Sequence, residues 1–362
     1  MRLATSARRL GRRSVTIAAI LATIGGAGAR SLGAYELPTT DRMLTDAMTA
    51  VADLTASASS GIGTAATAEV FGWPYRPTAA SMVVVSDTNQ VGQLHDIIGY
   101  DLDAVRHGAV EVPRLFLSSF PIGWSDVDTL DERKGLFFRT FLPLMLRVNE
   151  AITADRAILT DLRDRLASGD IPSAGEMDWL IDLARLYRVL PPEAGQDGSA
   201  VALTLDDIDT LLTRVDIIPP SLAMAQAVEE SGWGNSRFAQ EGNAMFGQYT
   251  WSDEGIIPMG RTGSDGHRIR SFDSLLQSVA AYALNLNSHP AYGELRAERA
   301  RMRAEGTALD GRELVSTLTS YSQRPGAYMR NLRTTIDANS LRDFDTSLLA
   351  EGRPIHVQPA RF

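Results

Sequence analysis

The 362-residue sequence contains no cysteine, which excludes disulfide stapling and any thiolate metal site. Histidine is scarce: His95, His107, His267, His289 and His356 are scattered, with no HExxH or closely spaced pair. No metal or other cofactor is therefore expected. A glycine-rich phosphate loop is missing, and Ser231 has no GxSxG frame that would make it a hydrolase nucleophile. Net positive charge is lacking too. The formal charge is −9, and residues 1–34 hold six arginines and no acid, so their removal would take it to −15. Such a surface argues against nucleic acid and anionic lipid as partners.

The N-terminus has the order of a targeting segment. Arg8, Arg9, Arg12 and Arg13 precede an apolar stretch from Val15 to about Ala29 that ends in small residues. The stretch is shorter than the roughly 20 residues that span a bilayer comfortably. Residues 1–34 are read as a signal peptide, cleaved after Ala27-Gly28-Ala29 or by Ala34, with an uncleaved inner-membrane anchor as the alternative. Either way the chain is expected to be exported.

Residues 35–100 form a poorly defined helical or linker region. Leu54 to Ala68 is low in large side chains, while Met82-Val83-Val84-Val85 is a candidate strand. Residues 101–200 are expected to be helical and packed on a downstream lobe. Arg133 to Leu166 carries apolar residues at helical spacing, with Pro143 expected to kink or break it. Glu176 to Val189 is a second amphipathic helix, and the turn-rich Pro191 to Gly198 places a boundary near residue 200. Beyond it come a main domain over 201–345 and a frayed tail over 346–362. Helices are expected over Phe272 to Leu286, Gly311 to Tyr321 and Tyr328 to Leu341.

The densest signal runs from Ile218 to Trp251. Pro219 and Pro220 suit a helix start, with Ser221 as a possible cap. Ala223, Gln226, Ala227 and Glu230 recur at three- and four-residue intervals and share a face. Small residues on that face let a neighbour approach, and burial there would raise the Glu230 carboxyl pKa, as a general acid requires. Glu229 points about 100° away, toward solvent. The helix breaks at Ser231-Gly232-Trp233-Gly234, and a polar, glycine-rich stretch from Ser252 to Ser271 reads as short strands and turns.

This block resembles the glucosaminidase domains of glycoside hydrolase family 73, whose signature is A-x-x-E-S-x-W-G followed by S-x-F-A-x-x-x-N-N-x-F-G. The chain has Ala227-Val228-Glu229-Glu230-Ser231-Gly232-Trp233-Gly234, then Ser236-Arg237-Phe238-Ala239 and Asn243-Ala244-Met245-Phe246-Gly247. Ala244 departs from the second asparagine. The likeness is greatest to the Bax-type subgroup of Gram-negative bacteria and extends over roughly 105–345, through VPRLFLSSFPIGWSDVD and SFDSLLQSVAAYALNLNSHPAYGELR.

The resemblance implies an α+β, predominantly helical fold with a lysozyme-like catalytic domain and a small β-lobe. It also implies cleavage of β-1,4 bonds after N-acetylglucosamine in peptidoglycan of the periplasm. Carried over, Glu230 is the general acid and Tyr321 the tyrosine near the domain end, with Tyr328 its competitor. A second acid is expected in the β-lobe, among Asp253, Glu254 and Asp265, with Glu254 preferred. Whether Glu254 acts as base or the substrate acetamide assists is left open. The candidate substrate-binding set is Trp233, Tyr249, Trp251, Gln248 and Asn243. Within it Tyr249 or Trp251 is the expected sugar platform, while Trp233, like Phe246, is expected to be structural. Gln277 stands where relatives often carry an acid, and its amide cannot act as a base. The competing readings are a lytic transglycosylase and a non-catalytic wall-binding or assembly module.

Overall fold

A computed structural model describes residues 82–195, 201–250, 255–257 and 268–360. The targeting segment, the stretch Leu54 to Ala68, and Trp251, Asp253, Glu254, Asp265 and His267 lie outside the described residues. Among the described residues no helix is long and apolar enough to cross a membrane.

The chain begins with β1 (Met82–Val85), followed by α1 (Thr88–Ile97), α2 (Leu102–Arg106) and β2 (Leu115–Leu117). The asparagine-like caps Asp87 and Asp101 start the two helices by accepting first-turn backbone N–H groups. The long α3 (Leu130–Ala167) then leads to α4 (Ala174–Leu186) and α5 (Leu205–Arg214), each of the latter two opened by a reciprocal capping box. After them come α6 (Pro220–Ser231), α7 (Arg237–Gly242), β3 (Tyr249–Thr250) and β4 (Arg268–Ile269). The chain closes with α8 (Leu275–Ser288), α9 (Gly293–Ala304), α10 (Gly311–Leu314), α11 (Pro325–Ala338) and β5 (Ile355–Pro359). The result is the predominantly helical α+β architecture expected.

The central beam is α3. Between Leu136 and Ile152 it is buried almost all round, including Phe137, Phe141, Leu142, Met145 and Val148, and it packs on α5, α6 and α8. An apolar circumference of this kind belongs to a helix enclosed by others. Pro143 does not break it. The ring has no N–H to offer the carbonyl of Arg139 one turn back, yet the flanking turns are so completely buried that the helix runs through. One hydrophobic core extends from Val83 to Val357, so the turn near residue 200 does not separate two cores.

Two small sheets flank the helices. β3 and β4 pair antiparallel, Tyr249 opposite Ile269, as the expected β-lobe. The other sheet contains the candidate strand Met82–Val85 and corrects the reading of the C-terminal segment. β1 and β2, from the region read as poorly defined and from the segment after it, both pair in parallel with β5 in the order β1-β5-β2. Residues 346–362 are therefore not a frayed tail: Ile355, His356, Val357 and Pro359 are buried in the middle strand. The pairing joins positions far apart in the chain, and no local pattern in a five-residue strand announces it.

Deleting residues 354–362 should remove the shared neighbour of β1 and β2 and the buried Ile355 and Val357. At about 1.5–3 kcal/mol for each such side chain, thermal melting should shift down sharply, whereas a frayed tail would leave it unchanged.

Candidate active site

The start of α6 is clamped from three directions. Asn149 of α3 pairs with the backbone of Ile218, its Nδ2 donating to the carbonyl at 2.8 Å and its Oδ1 accepting the N–H at 3.1 Å. Pro220 occupies the first helical position, where a missing N–H costs nothing. Ser221 is not the cap. Its N–H and Oγ both donate to the Asp345 carboxylate at 2.7 Å, and the N–H of Gly311 donates to the same group. One half-buried carboxylate thus meets the first turns of α6 and α10. A Cβ at Gly311 would lie 2.1 Å from Ser221 Oγ, so only glycine permits this approach.

The far end of α6 stops just as firmly. Gly232, Trp233 and Gly234 all adopt left-handed backbone, with φ of 57°, 62° and 78°. Ser231 latches the turn: its Oγ donates to the Ala227 carbonyl at 2.6 Å and accepts from the Gly234 N–H at 2.9 Å. A hydroxyl spent in this way is no nucleophile. A Cβ on Gly234 would lie 2.7 Å from both Phe120 and Trp124, so the motif's second glycine is a packing necessity. The break leaves Glu230 in the last turn, where the buried helix opens onto a cleft of ≈ 650 Å³.

Glu230 is half-buried, while Glu229 is exposed and accepts from Asn331 Nδ2 at 2.9 Å. Burial raises the Glu230 pKa, a hydrogen bond from Tyr328 opposes the rise, and the Glu229 charge adds to it. Tyr282, Tyr292, Tyr321 and Tyr328, four of the nine tyrosines, stand within electrostatic reach of the carboxyl. Burial pushes each hydroxyl pKa upward, so all four are neutral donors at neutral pH.

Their order is set by Gln226, which is fully buried. Tyr282 donates to Gln226 Oε1 at 2.7 Å, and Gln226 Nε2 donates to the Tyr328 oxygen at 2.9 Å. With that oxygen already accepting, the Tyr328 proton is directed to Glu230. Tyr321 stacks on Tyr328 at 5.3 Å and lines the cleft, as does Tyr292. The sequence had offered Tyr328 only as the competitor of Tyr321, and the structure divides the roles: Tyr328 holds the acid and Tyr321 faces the cleft. Gln226 and Tyr282 passed unremarked as site residues. The signal that could have found them is the i, i+4 spacing of Gln226 and Glu230, since a buried amide on an apolar helix face requires polar partners.

Other expected residues divide clearly. Gln248 lines the cleft with its amide pinned to the Ala281 carbonyl at 3.1 Å, and Tyr249 lines it with 61% of its surface exposed. Asn243, expected to bind substrate, is buried, caps α7 in left-handed backbone, donates to the Phe272 carbonyl at 2.9 Å, and does not line the cleft. Trp233 sits in the framework. It packs edge-on against Phe137 and Phe138, its carbonyl accepts from Trp124 Nε1, and it does not line the cleft. Phe246 stacks on Tyr282 at 3.8 Å, a framework role. Gln277 lines the cleft but its Oε1 accepts the Asp273 N–H at the start of α8. Glu254 and Trp251 lie outside the described residues, and among the described residues Glu230 is the one carboxyl lining the cleft. No cluster of three or more potential ligands suited to a metal ion occurs among the described residues.

Residues 206–341 match the family of mannosyl-glycoprotein endo-beta-N-acetylglucosaminidases. Over 196 residues the chain is 33% identical to Protein bax of Escherichia coli (strain K12). The chain carries a Bax-type glucosaminidase-like domain. The alignment takes in 54% of this chain and 66% of that protein, just short of two thirds of its length. The family match contains α5 through α11, with Glu230 and all four tyrosines. It does not contain Asn149, Asp345, Leu186 or Arg188, so the clamps on α6 and one wall of the cleft come from outside it.

Two outcomes test this arrangement. Burial holds the folded-state pKa of Glu230 above its ordinary 4.5, so the native chain loses stability as pH rises through that raised value. Glu230→Gln removes the titration and should melt no lower than wild type at neutral pH, and higher if the burial penalty dominates. Tyr328→Phe removes a bond that favours the carboxylate, so the Glu230 pKa should climb further. Glu229→Gln removes a like charge and should lower it. Titration of the Glu230 carboxyl by NMR in the three proteins should show these opposite displacements.

Proposed function

We propose that the protein is a peptidoglycan hydrolase cleaving β-1,4 bonds after N-acetylglucosamine, with Glu230 as the general acid. The observation that carries this reading is a half-buried carboxyl, its pKa raised by burial, at the open end of a buried helix and over a cleft of ≈ 650 Å³. The family match over residues 206–341 supports the glycosidase class. A carboxylic acid in this environment is protonated over a wider pH range than an exposed one and can donate to the departing glycosidic oxygen.

The step we favour uses the substrate's own acetamide. Glu230 protonates the leaving oxygen as the C1–O bond breaks, and the acetamide oxygen bonds to C1. Water then opens the resulting ring and returns a proton to Glu230. Tyr321, a neutral donor on the cleft wall, would orient the acetamide. Tyr249, exposed on β3, is suited to stack on a sugar ring. In the inverting route Glu254 would instead activate water. The charge-then-apolar order of residues 1–34 supports export to the periplasm, where peptidoglycan lies, with inner-membrane anchoring as the other fate of that segment.

In-gel clearing of purified sacculi should separate Glu230→Gln from wild type by about a hundredfold or more in rate, the usual range for a lost general acid. Tyr321→Phe should lose less. Mass spectrometry of the digest should show reducing N-acetylglucosamine ends. Anhydromuramyl ends would instead mark a lytic transglycosylase, and equal clearing by both proteins would mark a scaffold with no activity of its own.

A further inference from the structure

The cleft that holds Glu230 is also lined by two arginines, Arg188 and Arg270. Formal charge is −9, and surface arginines such as Arg114, Arg165, Arg303 and Arg312 are committed to carboxylates. Neither Arg188 nor Arg270 makes an ion pair among the described residues. What Arg188 faces is another cation, since its charge helps to lower the pKa of Arg214.

The backbone beneath Arg188 shows that the side chain is placed there against local preference. It follows the end of α4 with φ of 59°, in the left-handed position that normally takes glycine or asparagine. The turn is fixed by its surroundings. Val189 N–H donates to the Ala184 carbonyl at 2.8 Å, and the carbonyl of the buried Tyr187 accepts from Arg214 Nη1 at 2.7 Å. Arg270 is fixed differently. Its N–H donates to the Gln248 carbonyl at 2.8 Å, and its guanidinium lies over the Phe272 ring at 4.9 Å. Stacking holds the plane and leaves the N–H edge free for a planar, bidentate acceptor.

We propose that Arg188 and Arg270 form an anion-reading subsite of the cleft that takes the carboxylates of peptide substituents on the glycan. The proposal rests on the hydrolase reading for the identity of the glycan, but not for the existence of the subsite. An acidic protein repels a polyanionic wall polymer at long range, and two arginines in the same cleft, without an ion pair among the described residues, would restore attraction where a charged stem lies. One is supplied by the upstream helices and the other by the β-lobe strand end, so glycan strands bearing stems engage both parts of the fold.

The test separates binding from cleavage by working in full-length Glu230→Gln protein. The probes are soluble glycan oligomers with intact peptide stems and the same oligomers with the stem carboxyls amidated, both measured by calorimetry at moderate salt. The stem-bearing probe should bind about tenfold more tightly than the amidated one, close to 1.4 kcal/mol. Arg188→Gly and Arg270→Gln should each remove most of that difference. Arg188→Gly should also melt no lower than its parent, because glycine suits the left-handed turn. The same affinity for both probes, or an equal loss for both in the arginine variants, would overturn the subsite. Discrimination between probes in a protein whose Glu230 form cleaves no sacculi would sustain the subsite and sink the hydrolase reading instead.

Discussion

A carboxyl withdrawn from water cannot be left without a partner, and the residues around Glu230 are arranged to meet that constraint. Burial raises the Glu230 pKa, and the Tyr328 hydroxyl prevents the group from being an unpaired buried acid. Tyr328 can play this part only because Gln226 occupies its oxygen, and Gln226 is in turn oriented by Tyr282. Residues from α6, α8 and α11 therefore have to be in register at once. Their register depends on the clamps at the head of α6, where Asn149 and Asp345 hold two successive turns of chain.

This dependence explains why so much of the supporting structure lies outside the family match. Asp345 follows the last matched residues, and Asn149 belongs to the buried beam α3, yet both fix the helix that presents the acid. A helix clamped at one end and abruptly ended by three left-handed residues at the other has little room to slide.

Much of α6 was legible in the sequence because the information is local. Helical spacing placed Gln226 and Glu230 on one face, turned Glu229 toward solvent, and put the break at Gly232-Trp233-Gly234. The helices α4, α8 and α11 were visible for the same reason, with their ends displaced by a turn or less where caps such as Ser173 and Ser274 set the true start. What escaped is non-local. Nothing near Ile355 signals that it will pair with Leu115, and nothing near Asn243 signals that its side chain will be consumed by Phe272. Trp233 is expected to be structural, but which rings it packs on shows only when Phe137 and Phe138 of α3 are beside it. Pro143 shows the converse: a strong local rule yields where tertiary burial on every side outweighs one missing hydrogen bond.

The position of β5 has a bearing on when the molecule can assemble. Both β1 and β2 wait for a strand made from residues 355–359, so the sheet cannot form before those residues are made. Until then Val83, Val85 and Phe116 have no sheet to cover them. A chain lacking that strand remains open enough to be threaded, degraded or captured by a chaperone.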